Sequence, residues 1–206
     1  MPASPISRLV LNGFKSIKNC DINLQNLNVL IGANGAGKSN FISFFHMIKN
    51  ILDENLQMYI SKQGGPDAVL HFGRKNTEAI SAEIYFGFNG YKFALEPTQD
   101  NKMVFSYEDF WWNLNGNRRI NSGHFESTAE AQKNKTEIYS YTVPAMKSWR
   151  VYHFHDTGEN AAVKQLHNIN DNEYIKTDGG NIAAFLYLLK EKYPKEYRRI
   201  VKTVKL

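Results

Sequence analysis

A glycine-rich loop carries the clearest chemistry in this sequence. The run Gly32-Ala33-Asn34-Gly35-Ala36-Gly37-Lys38-Ser39 matches the pattern G-x-x-x-x-G-K-[ST]. Such a loop wraps phosphates with backbone N–H groups, which requires glycines of unusual φ, and the helix that follows adds its dipole. Lys38 would reach the β and γ phosphates, and the Ser39 hydroxyl would bind Mg²⁺. The motif therefore predicts binding of ATP with Mg²⁺, with Lys38 as the catalytic residue.

The elements around this loop occur in the order that a phosphate-binding loop needs. Three short strands are expected at Arg8 to Leu11, Asp21 to Leu24 and Asn28 to Ile31, and the third leads into the loop. A helix is expected from about Lys38 to Asp53. Its apolar residues recur at spacings of three and four: Phe41, Phe44, Phe45, Ile48, Ile51 and Leu52.

The remainder of the chain predicts further strands, one long loop and two terminal helices. Alternating residues indicate a hairpin from Ile80 to Phe88 and Tyr91 to Leu95, turning at Asn89-Gly90. Two further strands are expected, from Lys102 to Phe110 and from Trp149 to Phe154, with an exposed loop from Asn113 to Thr136 between them. A helix is expected after Gly179-Gly180, and a basic helix is expected to begin at Pro194.

Composition favours a soluble, cytoplasmic protein with no membrane segment. The 206 residues are 42% hydrophobic and 22% charged, with one cysteine, Cys20, and no apolar run long enough to span a bilayer. The net charge of +5 is concentrated near the end of the sequence, so charge alone leaves a DNA partner open. Five aromatic residues could stack on nucleobases, although aromatic residues in a sheet usually form core or interface: Phe105, Tyr107, Phe110, Trp111 and Trp112.

Two segments resemble the opening of ABC-type ATPase heads of the RecF and SMC families. The first is Leu9-Val10-Leu11-Asn12-Gly13-Phe14-Lys15-Ser16-Ile17, and the second runs from Asn28 through the loop to Phe41. Residues 149–157 and 178–186 are similar to segments of bacterial RecF-like ATPases of the AAA_21 type, some of which accompany phage-defence systems. The resemblance implies an α/β P-loop NTPase whose amino-terminal lobe has a mixed sheet with antiparallel edge strands, followed by a helical part.

The resemblance also implies a binding site and partners. The expected domains are a head portion over 1–178 and the helical start of an arm or second lobe over 179–206. In such heads, ATP is sandwiched between two subunits, so homodimerisation is expected, along with DNA and a nuclease or effector as partners. The implied nucleotide-binding residues are Lys15, Ser16, Gly32, Ala33, Asn34, Gly35, Ala36, Gly37, Lys38, Ser39 and Asn40. Metal ligands would be Ser39 and Asp156, with His155 and Gln63 as alternatives to Asp156.

Hydrolysis by such a head also needs an apolar strand ending in Asp-Glu and a serine-glycine signature. The adjacent acidic pairs, Asp53-Glu54 and Glu108-Asp109, follow no such strand. We therefore expect an amino-terminal half completed by a further segment or polypeptide, weakly active alone but an ATPase when complete, serving DNA repair or anti-phage defence. The alternatives are a non-catalytic DNA-binding or assembly module that keeps ATP as a structural ligand, and a P-loop kinase.

Overall fold

The computed structural model describes residues 5–152 and 158–205. Its strands are β1 (Arg8–Phe14), β2 (Ile17–Asn23), β3 (Ile80–Phe86), β4 (Asn89–Pro97), β5 (Met103–Trp112) and β6 (Gly116–Asn121). Its helices are α1 (Lys38–Leu52), α2 (Leu56–Gln63), α3 (Pro66–Val69), α4 (Glu137–Ser148), α5 (Ile182–Lys192) and α6 (Pro194–Val204). These elements form two compact units, 1–149 and 150–206.

The first unit is built on a six-stranded sheet in the order β2-β1-β3-β4-β5-β6, in which every described pairing is antiparallel. Burial alternates along its strands, as in β3, where Ile80, Ala82, Ile84 and Phe86 are buried. One face of the sheet therefore packs into a core while the other is more open, which is the usual arrangement for antiparallel sheets. The predicted α/β class with antiparallel strands is confirmed.

Helix α1 is the main element of the core, and its predicted span is confirmed to within one residue. Its buried face consists of Phe44, Met47, Ile48, Ile51 and Leu52. Full burial of each such side chain contributes about 1.5–3 kcal/mol. The ring of Phe44 also meets that of Phe14 from β1 edge-on, with centroids 5.9 Å apart. This packing fixes the middle of α1 against the end of β1.

The turn of the β3–β4 hairpin lies two residues earlier than predicted. Phe86 pairs with Asn89, so the two turn residues are Gly87 and Phe88, and Asn89-Gly90 belongs to β4. Gly87 supplies the positive φ, +62°, at the first turn position, which a Gly-X hairpin turn requires. The Asn-Gly prediction was wrong because Gly90 is packed inside the sheet, where an added Cβ would lie 3.0 Å from the carbonyl oxygen of Ile84.

The strand expected at Asn28 to Ile31 is not formed. These residues lie outside the sheet, and Val29 and Ile31 are 73% and 92% exposed. A strand that reads as a continuous apolar run is stable when neighbouring strands and covering helices bury both of its faces. The described residues supply no such neighbours, so the apolar run stays outside the sheet and exposed.

Two other loop and strand predictions were wrong. The region from Asn113 to Thr136 contains β6, a polar strand that pairs at the edge of the sheet, and a 3₁₀ turn at Glu130–Gln132. A strand at the edge of a sheet tolerates charged residues because its outer edge faces solvent. The polar sequence of β6 therefore resembles that of a loop. The residues of the expected strand Trp149 to Phe154 that are described, 149–152, are not strand, since α4 ends at Ser148. The remainder of that strand lies outside the described residues.

The second unit is helical at its carboxyl end, and both predicted helices are confirmed. Buried Asn181 precedes α5, and its side chain accepts a hydrogen bond from the Lys176 N–H (2.8 Å). The same amide donates to the carbonyl oxygens of Asp171 and Tyr174. One polar side chain thus orders the loop before α5. Among the described residues, no helix combines the length and apolar character that crossing a membrane demands.

Candidate functional site

The start of α1 is open to an anion. Gly37 is its N-cap residue with φ +94°, and Gly35 also has positive φ, +83°. No side chain caps the helix, and no acidic residue lies in its first turn. The first backbone N–H groups of a helix have no acceptor within the helix, and together with the macrodipole they favour phosphate. The local geometry therefore fits the phosphates of a nucleotide.

Lys38 lies across this loop. Its Nζ donates to the carbonyl oxygens of Gly32 (2.6 Å) and Ala33 (2.8 Å), so the ammonium is held over the residues that open the motif. Both carbonyl oxygens are neutral acceptors, and charged phosphate oxygens would be stronger partners for the same ammonium. The exposed Ser39 follows at the second position of the helix, as the motif requires for a Mg²⁺ ligand.

The turn between β1 and β2 packs against the loop. Ser16 Oγ accepts a hydrogen bond from the Asn40 side chain at 2.8 Å. A Cβ added to Gly37 would lie 2.8 Å from the same Ser16 oxygen, closer than real Cβ atoms approach. Two features therefore favour glycine at position 37: its positive φ and its close approach to Ser16. The predicted residues Ser16 and Asn40 are brought together beside the loop.

The same turn is clamped from its other side. Gly13 has φ +72°, and a Cβ there would lie 2.3 Å from the Ala79 carbonyl oxygen. The Lys15 N–H donates to the Val69 carbonyl oxygen (2.8 Å), and the Lys15 carbonyl oxygen lies 2.8 Å from His71 Nδ1. Lys15 itself has φ +48°, a conformation that these contacts stabilise. The turn is therefore fixed before any ligand arrives.

The Lys15 side chain is held by a residue at the end of α2. Its Nζ donates to Gln63 Oε1 at 2.9 Å, and partial burial lowers the pKa of the Lys15 ammonium. At the other end of α2, the Glu126 carboxylate accepts the N–H groups of Leu56 (2.7 Å) and Gln57 (3.0 Å). A carboxylate at a helix amino terminus stabilises that helix. Glu126 therefore helps to position Gln63, and through it Lys15.

Sequence reasoning missed this role of Glu126 and assigned Gln63 differently. Gln63 was an alternative metal ligand, whereas in the structure its side-chain oxygen is the acceptor for Lys15. Glu126 lies 70 residues from the N–H of Leu56 in sequence, so no local pattern indicates the contact. Asp156 and His155, the other metal-ligand predictions, lie outside the described residues. Within residues 5–152 and 158–205, no group of three His, Cys, Asp or Glu side chains could hold a metal ion.

A family model matches most of the chain, including the loop. The family model AAA_21, described as "AAA domain, putative AbiEii toxin, Type IV TA system", matches residues 27–183. The "DNA replication and repair protein RecF" of Aliivibrio salmonicida (strain LFI1238) is 40% identical over 45 residues, which are 21% of this chain and 12% of that relative. The chain thus matches only a small share of that relative's length.

One solved structure aligns along nearly the whole chain. It comes from work on "ATP-driven dimerization and DNA stimulated activation of SMC ATPases" and covers 97% of this chain and 98% of its own. The sequence identity is 19% and the TM-score is 0.41.

The class of protein follows from the loop, the helix behind it and the family match. It is a P-loop domain of the AAA ATPase type, and over 45 residues it is similar to RecF. More particularly, the chain belongs to the AAA_21 family, whose model spans most of its length and includes the loop and α1.

Proposed function

We propose that this chain binds Mg²⁺-ATP through residues 32–40 and forms the nucleotide-binding half of an ATPase head that dimerises around ATP. The observation that carries this proposal is the uncapped start of α1, preceded by two glycines of positive φ. Oriented N–H groups at a helix start are a preformed anion site, so little reorganisation is needed when the phosphates bind.

Each residue of the site has a distinct role in this proposal. Lys38 exchanges its two carbonyl acceptors for β and γ phosphate oxygens, and Ser39 Oγ binds Mg²⁺, which would neutralise part of the phosphate charge. Ser16 orients the Asn40 side chain at the edge of the loop. Lys15 is held near the site by Gln63 and adds a second positive charge to it.

Hydrolysis additionally needs a base that orients the attacking water. Neither Asp53-Glu54, at the end of α1, nor Glu108-Asp109 supplies it. The Glu108 carboxylate is buried and accepts hydrogen bonds from Tyr91 and Ser127, so it is engaged within the sheet. We therefore place the base in a further segment or polypeptide that completes the head. The exposed apolar run from Asn28 to Ile31 supports this placement, because it would become a buried strand there.

The pathway is proposed from the relatives. The family description names a toxin of a type IV toxin–antitoxin system, and the RecF relative is a DNA replication and repair protein. We place the complete ATPase in DNA repair or anti-phage defence, with DNA and a nuclease or effector as its partners.

Calorimetric titration of Mg²⁺-ATP into the purified chain, with phosphate release assayed alongside, tests the proposal. We expect saturable binding of one nucleotide per chain with turnover close to background, because the loop is present while neither acidic pair of the described residues supplies the base. A chain that bound no nucleotide would refute the assignment of the site. A chain that hydrolysed ATP rapidly would show that it contains a base and would refute its role as half of a head.

The exposed apolar run from Asn28 to Ile31 leads to a separate prediction. The double substitution Val29→Ser and Ile31→Ser is expected to change the free energy of unfolding of this chain by less than about 0.5 kcal/mol, because both side chains are exposed. Ile48→Ala, in the buried face of α1, is the control and is expected to cost about 2–5 kcal/mol. Urea unfolding measures both. A loss of comparable size in the double variant would mean that this run packs within the chain and is not reserved for a partner.

A further inference from the structure

A groove of about 1230 Å³ lies at one end of the sheet, and no residue of the loop or of α1 lines it. Its walls are the β3–β4 turn, the β5–β6 turn and the start of α4. Its volume exceeds the roughly 300–1,000 Å³ of pockets that enclose small ligands, so an extended ligand fits it better. The lining residues on which the argument rests are Phe88, Trp112, Arg118, Lys133, Lys135 and Tyr141.

Three of these residues present aromatic rings. Phe88 lies at the tip of the β3–β4 turn and is 70% exposed, Tyr141 is 40% exposed, and Trp112 is half-buried. The turn is fixed, because the Phe88 carbonyl oxygen accepts a hydrogen bond from the Asn113 N–H at 3.1 Å. An exposed phenylalanine on a fixed turn keeps apolar surface in water, a cost that a stacked ligand would remove.

The other three residues are cations that form no ion pair among the described side chains, although Lys133 interacts electrostatically with the Glu130 carboxylate. Arg118, Lys133 and Lys135 are all exposed and take part in none of the described ion pairs. Glu137 is the one acidic residue of the lining. The groove thus has a net positive charge beside exposed aromatic faces.

We propose that this groove binds single-stranded nucleic acid. Aromatic rings stack on unpaired bases, while cations along the groove follow the phosphates, and this combination is typical of single-strand binding without strong sequence preference. Asn89, Asn115 and Asn134 line the same groove and can donate to and accept from base edges. An acidic peptide would use the cations but not three aromatic faces. None of these residues belongs to the nucleotide site, so the proposal does not depend on ATP binding.

Of the five aromatic residues that the sequence suggested for base stacking, Trp112 lines this groove. Phe105 and Phe110 are fully buried in the core and cannot stack on a ligand. Phe88 and Tyr141 were not among the five, because β4 separates Phe88 from β5 in sequence and β6 separates Tyr141 from it. The fold alone brings the three rings of the groove together.

Fluorescence anisotropy with a labelled oligothymidine of about 15 nucleotides tests the proposal. Phe88→Ala with Tyr141→Ala is expected to weaken binding at least tenfold, through loss of stacking on two rings. The triple substitution Arg118→Ala, Lys133→Ala and Lys135→Ala is expected to reduce the slope of log K against log salt by about 2, since each lost phosphate contact removes about 0.7 from it. Thermal unfolding checks that the variants fold.

Matched variants in the second unit make the test specific. Tyr187→Ala removes an exposed ring on α5, and Lys195→Ala with Arg199→Ala and Lys202→Ala removes three charges from the basic helix α6. The proposal holds if these variants bind the oligonucleotide as the unaltered protein does. It fails if the α6 variant loses binding and the groove variants do not, if a duplex of the same length binds more tightly than the single strand, or if no binding occurs.

Discussion

Lys38→Ala is expected to weaken Mg²⁺-ATP binding by about 100-fold. The Lys38 ammonium is already held over the loop by two short hydrogen bonds, so it reaches phosphate oxygens with little loss of side-chain freedom. A hydrogen bond to a charged group contributes about 1.5–3 kcal/mol, and losing about 3 kcal/mol in total corresponds to the 100-fold change. Isothermal titration calorimetry on both proteins measures it.

Lys49→Ala is the matched control for this prediction. Lys49 lies on the same helix and is exposed in its last turn, so its removal costs the same charge far from the loop. We expect its ATP affinity to match that of the unaltered protein. Equal affinities for all three proteins would contradict the assignment of residues 32–40 as the phosphate site, because the substitution would then touch no ligand contact.

The loop and α1 could be predicted from the sequence because their signals are local. Glycines at fixed spacing, a lysine and an apolar stripe repeating every three or four residues all lie within about 20 residues, and each constrains the backbone directly. The turn containing Lys15 and Ser16 was inferred from resemblance, and the structure places Ser16 against Gly37 and Asn40. The sequence does not reveal the contact of Ser16 with Gly37 and Asn40, because Ser16 lies more than 20 positions from both.

The errors occur where tertiary context decides the local structure. The run from Asn28 to Ile31 has the composition of a buried strand, but a strand needs neighbours, and none is present among the described residues. Conversely, β6 has the composition of a loop and becomes a strand because the edge of β5 offers it hydrogen bonds. Helix α4 contains Pro144, which hides its apolar positions Tyr139, Val143 and Met146 from a search for regular helices.

The support behind the Lys15 side of the site was invisible in the sequence for the same reason. Glu108 is fully buried on β5 and accepts five hydrogen bonds. They come from Tyr91 Oη, Ser127 Oγ, Thr128 N, Thr128 Oγ1 and His124 Nε2. Burial, with the nearby Glu108 carboxylate, raises the pKa of Tyr91 well above its ordinary range, so Tyr91 remains a donor. This cluster fastens residues 124–128 to the sheet, and Glu126 of that segment caps α2.

Glu108→Ala is accordingly expected to destabilise the protein by about 3–5 kcal/mol. Removing the carboxylate leaves buried hydroxyl and imidazole donors without an acceptor, and breaking such a network costs far more than an exposed interaction contributes. His124 makes the loss larger. With its hydrogen on Nε2 it donates to Glu108, while its buried Nδ1 has no hydrogen-bond partner, so no second hydrogen bond holds the ring. Chemical denaturation, followed by fluorescence, measures the change.

Two further variants decide what the loss means. Glu96→Ala removes an exposed carboxylate from the neighbouring strand β4 and is expected to cost less than about 0.5 kcal/mol. Glu108→Gln keeps the shape and part of the acceptor capacity, so its cost should fall between the two. If Glu108→Ala cost no more than Glu96→Ala, the donors would have found other partners, and residues 124–128 would not depend on this carboxylate. The support of α2, and with it the contact between Gln63 and Lys15, would then rest on Glu126 alone.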